Sequence, residues 1–92
     1  MPVMKCVLTV LGKDRSGIVA GIASALATCG VNIDDISQTI LDGIFTMTMM
    51  VTVSEAVATF NEVQEKVEAV ATELGVQAIL QRQDVFDAMF TI

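Results

Sequence analysis

Apolar and polar positions alternate along four stretches of the chain and recur at helical spacing in two others. Val3 to Leu11 reads VMKCVLTVL, with Met4, Cys6, Leu8 and Val10 on one parity and Lys5, Val7 and Thr9 on the other. That pattern predicts a strand with one drier face. Ile44 to Val53 is clearer: Phe45, Met47, Met49, Val51 and Val53 share one face, and Thr46, Thr48, Met50 and Thr52 the other. Val31 to Leu41 is a strand of broken phase, because Ile33, Ile36 and Ile40 do not share one parity. One extra residue near Asp34-Asp35 would realign them, so a bulge is expected there. Asp42-Gly43 joins these two strands as a tight hairpin, since both residues tolerate positive φ. Val76 to Gln83 is the fourth strand.

Ile18, Ile22, Leu26 and Cys29 mark a first helix, with Asp14 or Ser16 available to cap its start and Gly30 to end it. Phe60, Val63, Val67, Val70 and Leu74 mark a second. Glu62, Glu65, Glu68 and Glu73 lie off that stripe, Glu62 and Lys66 form an i,i+4 pair, Ser54 caps the front and Gly75 the end. In the tail, residues 84–92, Phe86, Met89 and Phe90 again fall at helical spacing.

The order βαββαβ constrains the topology. Right-handed crossovers make each helix join two parallel strands with a third inserted between them. The expected fold is α+β: one ferredoxin-like βαββαβ sandwich over residues 1–92, antiparallel sheet order 4-1-3-2, both helices on one face. The other face would be bare and half apolar, which predicts a homodimer that covers it or pairs an edge strand.

Composition removes several functions. The 92 residues carry five basic and eleven acidic side chains, a net charge of −6. Nucleic acid and anionic membrane surfaces are therefore disfavoured as partners. No histidine is present, which excludes Ser–His and Cys–His nucleophiles and histidine metal sites. Tryptophan and tyrosine are absent too, so base-stacking platforms are missing. No apolar run is long enough to span a bilayer and the start lacks a signal-peptide pattern. Cys6 and Cys29 are far apart and read as reduced core residues of a cytoplasmic protein.

The candidate chemistry lies in the loop after the first strand, Gly12-Lys13-Asp14-Arg15-Ser16-Gly17, which leads into Ile18. Free amides at a helix start favour an anion, and Gly17 lets a ligand come close. Lys13 and Arg15 flank the loop. Asn32, opening the second strand, is expected near the same end of the sheet, where its amide could donate and accept. A free amino acid, its carboxylate on the helix start and its ammonium reaching Asn32 or Asp14, would suit this arrangement. The plainer alternative is that Asp14 and Ser16 only cap the helix while Lys13 and Arg15 are solvated. A third alternative, an acylphosphatase-like hydrolase, would pair Arg15 with Asn32 but lacks that family's loop pattern. Asp34, Asp35 and Asp42 offer too few converging oxygens for a cation, so no metal or cofactor is expected. The Met47–Met50 run reads as core on one side and interface on the other.

The stretches KDRSGIVA (13–20), GVNIDDISQT (30–39) and Phe45-Thr46-Met47, with the VFDAMF tail, resemble the ACT-domain superfamily, and more narrowly its small stand-alone members. The resemblance implies a regulatory, non-catalytic module that dimerises and binds an amino acid between subunits. It assigns ligand contacts to Gly12, Asp14, Arg15, Ser16, Gly17, Ile18, Asn32 and Ile33. Ser16 departs from the commoner proline of that loop. Such a module would act on a separate protein, or serve as a ligand-independent dimerisation scaffold.

Overall fold

A computed structural model of the chain describes residues 3–89. Its elements are β1 (Val3–Lys13), α1 (Ile18–Thr28), β2 (Asn32–Leu41), β3 (Ile44–Ser54), α2 (Phe60–Leu74), β4 (Val76–Arg82) and α3 (Gln83–Met89). The four strands form one antiparallel-paired sheet in the order β2-β3-β1-β4, which is the expected 4-1-3-2 topology. β1 is central and pairs on both sides; β2 is an edge.

The alternating residues of β3 decide which face is dry. Phe45, Met47, Met49, Val51 and Val53 are all buried. They form one core with Cys6, Leu8 and Val10 of β1, Ile18, Ile22 and Leu26 of α1, and Val63, Val67 and Ala71 of α2. Each fully buried aliphatic side chain here contributes about 1.5–3 kcal/mol. The bulge falls where the phase of β2 breaks: Ile33 pairs with Val51, Asp35 with Met50, and Asp34 is the extra residue. Ile33, Ile36 and Ile40 are thereby brought to the helix side. Asp42 (φ 53°) and Gly43 (φ 79°) make the hairpin turn with both central residues left-handed.

The caps depart in part from expectation. Gly75 closes α2 in the left-handed conformation as foreseen, but its front is capped by Thr59, not Ser54. Thr59 Oγ1 accepts from the Glu62 amide at 3.2 Å, and Glu62 Oε1 accepts from the Thr59 amide at 3.0 Å. Glu62 thus turns back to the helix start instead of reaching Lys66. Ser54 uses its carbonyl to hold the preceding turn, accepting from Val57 and Ala58.

The second face of the sheet is not fully bare. α3 folds across it against β1 and β4. Val7, on that face, is 1% exposed yet lies outside the main core. The tail as far as Met89 therefore packs on its own sheet; Phe90 lies outside the described residues. Cys6 is fully buried and Cys29 half-buried, both as free thiols. Burial pushes the Cys6 thiol up, which keeps it protonated and unreactive.

Candidate functional site

The loop between β1 and α1 is shorter than the sequence suggested, because Gly12 and Lys13 belong to β1. Gly12 is no turn glycine. Added as a side chain, its Cβ would stand 2.6 Å from Val76 Cγ1, so its bareness serves the packing of β4. Asp14, Arg15, Ser16 and Gly17 are exposed. Two bonds fix the loop. The Asp14 amide donates to Gly43 O at 2.9 Å, and Arg15 Nη1 donates to Leu74 O at 3.2 Å, at the negative end of α2. Arg15 is therefore not simply solvated.

The start of α1 carries no side-chain cap. Neither Asp14 nor Ser16 takes the role the plainer alternative gave it. Gly17 is the N-cap residue, at φ 89°, and a Cβ there would meet nothing within 4 Å. The first helical bond runs from the Gly21 amide to Gly17 O, so the amides of Ile18, Val19 and Ala20 precede it. The Ile18 side chain is buried in the core, leaving only its backbone to serve a ligand. An open, uncapped helix start beside two cationic residues is suited to a carboxylate.

Asn32 does not join this loop within one chain. It pairs with Thr52, which pairs with Lys5, whereas the loop leaves from Lys13, level with Ile44. Eight residues of strand separate the two ends, about 26 Å at 3.3 Å per residue. The cause is topological: β1 and β2 run parallel, so α1 must carry the chain back to the far end before β2 begins. Ile33, 36% exposed, lies at that far end too. Arg15 and Asn32 of one chain are thus too distant to act as an acylphosphatase-like pair.

Asn32 belongs instead to a polar cluster around Asp34, the bulge residue. Thr52 Oγ1 donates to Asp34 Oδ2 at 2.6 Å, Asn32 Nδ2 to Oδ1 at 2.6 Å, and Lys5 Nζ to Oδ2 at 3.4 Å. Bonds from Thr52 and Asn32, then Lys5, hold the Asp34 carboxyl below its ordinary value. The extra residue of the bulge was the available signal that Asp34 would be singled out. Among the described residues, no group of three or more His, Cys, Asp or Glu is placed to hold a metal ion. No helix among them is long and apolar enough to cross a membrane.

Known proteins fit this geometry. A UPF0237 protein of Listeria innocua is 48% identical over 86 residues, covering 94% of this chain and 97% of its own. One from Methanocaldococcus jannaschii is 47% identical over 88 residues, covering 96% and 98%. The solved structure of an ACT domain protein from Streptococcus pneumoniae superposes with a TM-score of 0.76 at 46% identity, covering 95% of this chain and 98% of that one. A sequence profile of the ACT domain matches residues 5–81, all four strands and both long helices apart from the ends of β1 and β4. The chain belongs to the ACT domain family.

Proposed function

We propose that this protein is a non-catalytic regulatory module that binds a small molecule, an amino acid, at a site completed by a second copy, and that a separate protein reads the result. The observation that carries the proposal is the uncapped start of α1, where Gly17 leaves open space beside free amides. A ligand carboxylate suits those amides. Its ammonium can reach the exposed Asp14 carboxylate of the same loop, and a further polar partner would come from the second copy.

Strand β2 suggests the source of that partner. All ten of its residues are exposed; the bulge and charges at Asp34 and Asp35 guard the Asn32 end, but Ile36 to Leu41 carry no proline, charge or bulge. Antiparallel pairing of β2 with its copy would lay Asn32 of the partner subunit beside Leu41. That is the end where Asp14 is tied to Gly43. Ile36 and Ile40, 41% and 57% exposed, would be covered by the same pairing. A ligand-independent scaffold would use the same edge, and the loop distinguishes the two readings.

Titration of the standard amino acids by calorimetry, with sedimentation for oligomeric state, tests this. The wild type is expected to be a dimer and to bind at least one amino acid. Gly17→Asp should abolish the heat and keep the dimer, while Ile36→Lys should abolish both. A wild-type monomer that gives no heat with any amino acid overturns the proposal; a dimer without heat leaves the scaffold.

A further inference from the structure

We infer that the sheet face under α3 holds a second small-molecule site, for an uncharged ligand with an apolar body and one hydrogen-bonding end. The site is a hollow of about 390 Å³ lined by Thr9, Thr48, Ile79, Gln81, Phe86 and Met89. Its floor is a single cross-strand row, since Thr9 pairs with Thr48 on one side and with Ile79 on the other. Its roof is α3, where Phe86 and Met89 stand three residues apart and so share a helix face. Gln81 Nε2 donates to Met89 Sδ at 3.2 Å and ties roof to floor.

The lining decides the ligand. Four comparable hollows on the surface each include at least one charged side chain, among them Lys5, Glu68, Glu55 and Lys66. The hollow under α3 has none, on a chain of net charge −6. Thr9 and Thr48 are half-buried, and no side-chain hydrogen bond engages their hydroxyls among the described residues. They offer donors and acceptors to one polar end, while Ile79, Phe86 and Met89 offer apolar surface to the rest. A volume of this size with apolar walls and few polar groups is that of a small-ligand pocket. An ion would lose its hydration there without gaining a counter-charge. The site lies on the opposite side of the sheet from α1 and does not depend on the loop.

Benzyl alcohol, benzoate and benzylammonium differ mainly in charge and make suitable probes. In amide and methyl NMR spectra of the full chain, benzyl alcohol is expected to shift Thr9, Thr48, Ile79 and Met89 with a millimolar or tighter Kd. The two ions should bind at least tenfold more weakly. Thr48→Val should weaken binding several-fold, and Ile79→Asp, at a position 52% exposed, should abolish it while the amide spectrum keeps its folded dispersion. Equal binding of benzoate, unchanged affinity in both variants, or shifts confined to other residues would overturn the inference. So would probe-free shifts of these same residues with protein concentration, which would make the face an interface between copies.

Discussion

Gly12 of β1 and Val76 of β4 approach so closely that a single methyl group on the glycine would stand 2.6 Å from Val76 Cγ1 and 3.0 Å from Val76 Cα. Backbone cannot yield as a flexible side-chain tip would. Gly12→Ala is expected to destabilise the protein by about 1–3 kcal/mol. The same substitution should be milder in a Val76→Ala background, because the nearest atom is then gone. Urea denaturation of the two single variants and the double variant measures the coupling.

Thr59→Ala removes one half of the capping box and should lower stability by about 1 kcal/mol. It should also change the pH dependence. The Thr59 backbone amide, and after it the Thr59 side chain, hold the Glu62 carboxyl below its ordinary value in the folded protein; alanine keeps the first bond and loses only the second. A depressed acid stabilises above its unfolded-state pKa and loses that contribution as pH falls through the folded one. The stability of the wild type to heat should therefore weaken only slightly more steeply than that of Thr59→Ala as pH drops below the usual glutamate range, because the variant keeps the backbone bond.

The carboxyl of Asp34 should titrate below the ordinary aspartate range, because its protonation breaks bonds from Thr52, Asn32 and Lys5. Thr52→Val removes the first of these and should raise the titration midpoint. Carboxyl-carbon NMR against pH reads both values. An unmoved midpoint in the variant would show that Thr52 does not hold the acid.

Ending the chain at Arg82 removes α3, which contributes no buried side chain of its own. The four-stranded sheet and both long helices should survive. Val7 would become exposed to water, so stability should fall by roughly 1–2 kcal/mol. Circular dichroism checks the first expectation and chemical denaturation the second.

Most of the architecture was legible in the chain because period-two alternation and Asp42-Gly43 are local signals. The bulge was legible because Ile33, Ile36 and Ile40 broke phase across it. The α2 cap was legible too, as Thr59-x-x-Glu62, but Ser54 at the strand end drew the reading away. Asn32 was misplaced for a different reason. Its distance from the loop follows only when the direction of β2 relative to β1 is traced through α1. The role of Gly12 was hidden as well, since the residue that crowds it lies 64 positions later and nothing local announces Val76. The position of α3 depended on which sheet face remained uncovered.

Strand β2 has every one of its ten side chains in contact with water, whereas β1 is shielded on both sides. The molecule should consequently open in stages. Amides of β1 would exchange with deuterium only on global unfolding, while β2 could peel away from β3 and re-anneal at a fraction of that free energy. Such a hem could be stitched to a neighbouring sheet and unpicked again without melting the fabric behind it.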